Sequence, residues 1–122
     1  MPRVLIVDDS PTETYKFKEA LERNGYEILT ADNGADGVAV ARQERPDVVL
    51  MDVVMPGLNG FQATRQLSKG EDTKSIPVII VTTKDQETDK VWGRRQGASD
   101  YLTKPVDETV LLDTIQRAMR GS

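Results

Sequence analysis

Short strand-like runs rich in Val and Ile alternate along this chain with longer segments in which apolar residues recur every three or four positions. Runs this brief and this continuously apolar suit strands covered on both faces, and their alternation with helical segments predicts repeated βα units around a parallel sheet. Five such units are expected. The first strand covers residues 3–7, and Ser10-Pro11 supplies a cap and a first-turn proline for a helix with Thr14, Phe17 and Leu21 on its inner face, ended by Asn24-Gly25. The second strand is residues 26–31. Asn33-Gly34 opens a helix expected to bury Val38, Ala41 and Ala39 before Pro46 stops it.

The third strand is residues 47–51, and a Met55-Pro56-Gly57 turn separates it from a helix beginning near Asn59 with Phe61, Thr64 and Leu67 inward. Residues 70–75 read as a polar loop. Pro77 opens the fourth strand, residues 86–96 form the fourth helix, and Gly97-Ala98 ends it. Trp92 on that helix is expected to be a partly buried packing residue, and an anchor for a partner if exposed. After a short fifth strand at 101–103, Asp107 caps a last helix with Leu111, Leu112, Ile115, Ala118 and Met119 inward.

Length and composition then narrow the picture. A chain of 122 residues with 38% hydrophobic content builds one core, and no repeat, linker or low-complexity tract divides it. A single domain over residues 1–122 without an output domain is expected. Cysteine and histidine are both absent, which excludes disulfides, thiolate and imidazole metal sites, and the commonest general base. Oxygen ligands remain, and these suit hard cations. The net charge of −4 gives no reason to expect nucleic-acid binding through a basic face. The apolar start is too short for a membrane span or a secretion signal and runs straight into two aspartates, so a cytoplasmic protein is expected.

The chemistry lies where the strand-like runs end. Asp8 and Asp9 follow the first, Asp52 the third, Thr82 ends the fourth, and Lys104 follows the fifth. In a parallel sheet these carboxyl ends meet in one crevice. Three acids so placed suit magnesium, with Asp9 and Asp52 as direct ligands, the backbone carbonyl of Val54 as a third and Asp8 acting through water, while Lys104 supplies a fixed positive charge. Taken singly, Asp8-Asp9 could cap the first helix, Lys104 could neutralise a lone buried acid, and Thr82 could bond to backbone. Together they fit cation-assisted phosphoryl transfer, in which Asp52 is the nucleophile and Lys104 and Thr82 share the charge on the transferring oxygens.

Asp8-Asp9, Asp52 with Met55-Pro56-Gly57, Thr82, and Tyr101 with Lys104-Pro105 together resemble the response-regulator receiver domain over essentially the whole chain. The resemblance implies a flavodoxin-like five-stranded parallel sheet of order 2-1-3-4-5 with five helices on both faces. It also implies magnesium, a phosphohistidine donor on a sensor histidine kinase, and Asp52 as the phosphorylated residue. It further implies that Thr82 and Lys104 sense the phosphoryl group while Tyr101 exchanges between exposed and buried rotamers. That exchange remodels the face of the fourth helix, fifth strand and fifth helix, where a downstream protein docks; a monomer or weak dimer is expected, with no nucleic-acid or membrane partner.

Within the family, residues 47–67 and 81–93 are most similar to the small receivers of type IV pilus twitching-motility systems. Departures from the best-known chemotaxis receiver fall at Val54, Lys84 and Val106, beside the expected acceptor and sensors. The leading expectation is a phosphorylation switch acting by protein contact, self-phosphorylating and self-dephosphorylating at most and not otherwise an enzyme. A phosphate sink draining a shared kinase is an alternative. So is an aspartyl-phosphate phosphohydrolase, although Val54 stands where such enzymes carry a second acid.

Overall fold

The computed structural model describes residues 1–121. The strands are β1 (Arg3–Val7), β2 (Glu27–Ala31), β3 (Val48–Met51), β4 (Val78–Thr82) and β5 (Asp100–Thr103). The helices between and after them are α1 (Pro11–Arg23), α2 (Gly34–Glu44), α3 (Gly60–Lys69), α4 (Glu87–Arg95) and α5 (Glu108–Gly121). All pairings are parallel, and the sheet order is β2-β1-β3-β4-β5, as the resemblance implied. Most predicted boundaries hold to within a residue.

Period-two alternation along the central strands sorts their side chains onto two faces. Val4 and Ile6 of β1, Val48 and Leu50 of β3, and Ile79 and Val81 of β4 pack with Phe17 and Leu21 of α1 and Leu111 and Ile115 of α5. Leu5 and Val7, Val49 and Met51, and Val78 pack instead with Val38 and Ala41 of α2 and Ala63 and Leu67 of α3. Each fully buried Leu, Ile or Val contributes about 1.5–3 kcal/mol relative to an exposed one. A third, smaller cluster of Val53, Ile80, Ala98 and Tyr101, with Phe61 at its margin, lies towards α4 and β5.

Local chemistry starts the helices as expected. The Ser10 hydroxyl accepts the Glu13 N–H at 3.3 Å, the Asn33 side chain accepts from Asp36, Asn59 and Gln62 form a reciprocal capping box, and the Asp107 carboxylate accepts from Thr109 and Val110. Three side-chain expectations need correction. Ala39 is exposed, and α2 instead turns Gly34, Gly37, Val38 and Ala41 inward, because it lies so close to the sheet that a Cβ on Gly37 would come within 2.8 Å of the Val7 methyls. Phe61 is only half-buried, while Ala63 fills the inner face of α3. Trp92 is 50% exposed, and the residue of α4 that is buried is Gly93.

Register places the functional end of the sheet. Val7 lies opposite Met51, so the residues that follow them, Asp8 and Asp52, emerge side by side. Thr82 lies opposite Thr103, and Lys104 follows immediately, its backbone N–H donating to the Thr82 carbonyl at 2.8 Å.

Candidate functional site

The acids, the hydroxyl and the lysine predicted from the strand ends converge. Asp8 and Asp52 are buried, Asp9 is exposed, and one carboxylate oxygen from each of the three lies within 4.8 Å of the others. The Lys104 ammonium reaches Asp8 at 2.8 Å and Asp52 at 3.5 Å. Sequence reasoning assigned Asp8 a role through water; the fold adds a direct ion pair with Lys104, and the other Asp8 oxygen accepts the Ser10 N–H at 2.9 Å. Glu13, which no sequence argument singled out, approaches Lys104 at 3.9 Å. Its place in the first turn of α1, beside the acid pair, was the available signal.

Asp52 is held by its surroundings. Its backbone N–H donates to Val7, one carboxylate oxygen accepts the Val53 N–H at 2.8 Å, and α3 begins against it. A Cβ on Gly60 would overlap the Asp52 carbonyl oxygen, so only glycine lets the helix start this close. Burial raises the Asp52 carboxyl above its ordinary range and Asp8 adds to the rise, while Lys104, Thr82 and the Val53 N–H oppose it. For Lys104 burial works to lower the pKa, yet the hydrogen bond to Asp8 and the charges of Asp52, Asp8 and Glu13 together carry it upward.

Three carboxylates against one ammonium leave negative charge uncompensated. Among the described residues, the Asp9 carboxylate has no ion-pair or hydrogen-bond partner, and the Val54 carbonyl accepts no hydrogen bond. Oxygen donors with free lone pairs, gathered with surplus negative charge and without any nitrogen or sulfur ligand, fit a small hard dication. Ser10 performs the capping of α1, so Asp9 is not occupied by that task.

The two remaining predicted residues meet at a third. The Thr82 side chain is fully buried, and its hydroxyl oxygen accepts a long bond from the Lys84 N–H at 3.5 Å. The Tyr101 ring is inward, 7% exposed, and its hydroxyl donates to the Lys84 carbonyl at 2.8 Å. The backbone of Lys84 therefore links the strand-end hydroxyl to the aromatic. Burial, with Asp89, Asp85 and Asp52 nearby, pushes the Tyr101 hydroxyl up to about 12. Val54 is largely exposed, and the Lys84 ammonium lies 3.9 Å from Asp89.

Comparison with known proteins agrees with this geometry. The model of the response regulator receiver domain family matches residues 4–116. Protein PilH of Pseudomonas aeruginosa is 72% identical over 121 residues, covering 99% of this chain and 100% of that protein. Response regulator PleD of Caulobacter vibrioides is 37% identical over 97% of this chain, which spans only 26% of PleD. Among solved structures, chemotaxis protein CheY4 of Vibrio cholerae is 35% identical, with TM-score 0.91 over 97% of this chain and 98% of its own. The receiver domain of sensor histidine kinase PA1611 from Pseudomonas aeruginosa, solved with a magnesium ion coordinated in the active site cleft, is 29% identical with TM-score 0.91 over 98% of each chain.

Proposed function

Because this chain belongs to the response regulator receiver domain family, we propose that it is a switch that takes a phosphoryl group onto Asp52 from the phosphohistidine of a sensor kinase and acts through protein contact. A carboxylate oxygen of Asp52 attacks phosphorus, the new P–O bond forms as the P–N bond to the kinase histidine breaks, and the electron pair returns to the imidazole. The observation that carries this reading is the buried Asp52 carboxylate sharing one lysine with Asp8, beside an Asp9 with no partner among the described residues. Asp9, Asp52 and the Val54 carbonyl would hold magnesium directly, and Asp8 through water. When bound, the metal neutralises charge on the phosphoryl oxygens.

Phosphorylation adds about −1.5 to −2 of charge and strong acceptor oxygens. Lys104 and the Thr82 hydroxyl are drawn towards them, Lys84 loses its contact with Thr82, and the Tyr101 hydroxyl loses the fixed carbonyl that holds it inward. This biases an existing equilibrium of the α4, β5 and α5 face, where the downstream protein docks. The likeness to PilH, together with the similarity of residues 47–67 and 81–93 to twitching-motility receivers, supports a role in type IV pilus motility.

With magnesium and acetyl phosphate, wild type gains one base-labile acyl phosphate and Asp52→Ala gains none. Equal labelling of the two proteins contradicts the assignment. Phosphotransfer profiling against the histidine kinases of the source organism tests the pathway: kinetic preference for a type IV pilus chemosensory kinase is expected, and preference for an unrelated kinase overturns it.

A further inference from the structure

Away from the acid site the surface charge is unevenly distributed. No acidic residue occurs from Val53 to Gly70, although the chain carries 20 Asp and Glu. Most cations elsewhere have an acidic partner within 4.0 Å: Lys16 with Glu13, Arg23 with Glu108, Lys74 with Glu71, Lys90 with Glu87, Arg117 with Asp113. Arg42 and Arg45 at the end of α2, and Arg65 and Lys69 on α3, have none among the described residues. The nearest acids along these helices are engaged elsewhere, Asp36 with Asn33, Glu44 with Arg3 and Glu71 with Lys74.

These cations are arranged, not scattered. Gln62, Arg65, Gln66 and Lys69 recur at the spacing of one helix face, and together with Arg42 and half-buried Leu58 they line a groove of about 500 Å³ between α2 and α3. Arg65 makes one long contact, 3.5 Å to the Gln96 side chain, which leaves most of its guanidinium donors free. The groove thus presents two guanidiniums, an ammonium and two amides around one apolar floor residue, in a protein whose net charge is −4.

We propose that the α2–α3 groove docks an acidic segment of a partner protein, with carboxylates on Arg42, Arg65 and Lys69, backbone groups on the Gln62 and Gln66 amides, and an aliphatic side chain over Leu58. A membrane surface fits less well. Basic faces that lie on lipid carry exposed large apolar residues to insert, and the exposed large hydrophobics of this chain, including Tyr15, Val54, Val91, Trp92 and Val110, belong to other parts of the fold. Against an overall negative protein, a local positive groove also orients an acidic partner and rejects approach elsewhere.

The test uses fluorescence polarisation of a fluorescein-labelled oligoglutamate peptide with a central leucine, titrated with the whole chain. Wild type binds saturably and more weakly as salt rises. Arg65→Ala/Lys69→Ala weakens binding about fivefold or more, as expected for losing two solvent-accessible charge pairs. A control pair, Lys18→Ala/Arg95→Ala, removes the same charge from exposed sites outside the groove and leaves affinity unchanged; unaltered thermal melts show that both pairs fold. Equal weakening by the two pairs, absence of saturable binding by wild type, or sedimentation with phosphatidylglycerol vesicles in preference to binding the peptide would each overturn the proposal.

Discussion

Helices α3 and α4 are almost equal in length, ten and nine residues, and both flank the acid site, yet they are held in opposite ways. α3 buries Gly60, Ala63, Thr64 and Leu67 and begins in contact with the Asp52 backbone. α4 buries only Gly93, which rides so close to the Ile80 methyl and the Tyr101 ring that a Cβ would come within 2.9–3.0 Å of them, and it leaves Val91 and Trp92 half exposed. One helix is therefore part of the frame that fixes Asp52, whereas the other rests on a small satellite cluster containing Tyr101. Few buried apolar contacts mean a low local opening free energy, which is the property a movable element requires.

The largest contrast comes from Leu67→Ala on α3. This side chain is 1% exposed, and its loss should cost about 3–4 kcal/mol of global stability in denaturant titration, the range for buried leucines. A cost below about 1 kcal/mol would erase the difference between the helices. Next is Lys104→Ala, at the acid site itself. It strands a buried Asp8 beside Asp52, and a loss of about 2–3 kcal/mol at neutral pH is expected, below the figure for fully buried pairs because the side chain keeps 10% exposure.

The signs of the pH dependence follow from the raised values. Lys104 has its folded pKa above the ordinary 10.5, so its contribution is complete below that pH and is lost as pH rises through the folded value. Asp52 also has a raised folded pKa, so the folded state holds its proton more tightly and stability falls as pH climbs from 3.8 through the raised value. Above that window Asp52→Asn should therefore melt higher than wild type without magnesium; a lower melting temperature contradicts the electrostatic account.

A smaller effect is expected from Tyr101→Phe. Losing the bond to Lys84 should cost about 0.5–1.5 kcal/mol, and tyrosinate absorbance should lack the step expected of wild type at about 12. The stability tied to that proton is complete below pH 10 and disappears between 10 and about 12. Titration of Tyr101 at its ordinary value would mean that the ring is not held inward. Smallest is Trp92→Ala, expected within about 0.5 kcal/mol in the same denaturant titration, because half of the side chain already meets water.

The strands and the acid cluster were legible because their signals are local and cumulative: each βα unit announces itself, and Asp8, Asp9, Asp52, Thr82 and Lys104 all stand at strand ends. Packing on the helices was less legible where small residues do the work of large ones. Reading hydrophobicity favoured Ala39 and a partly buried Trp92, but close helix–sheet contacts are made by Gly37 and Gly93, residues that carry no apolar side chain to reveal them. The bond from Tyr101 to the Lys84 carbonyl joins segments 17 residues apart through a backbone atom, and no residue pattern encodes that. That Lys104 faces the acids follows from the strand ends, but that Asp8, 96 residues away, takes the closer contact than Asp52 depends on side-chain geometry no sequence pattern encodes.

Amide hydrogen exchange with and without acetyl phosphate and magnesium, using Asp52→Asn as the control, tests the central claim directly. Phosphorylation should change exchange in α4, the Lys84 loop and β5 while α3 stays protected to the same degree, and Asp52→Asn should show neither change. Equal changes in α3 and α4, or unchanged α4 exchange in a fully phosphorylated protein, would contradict it.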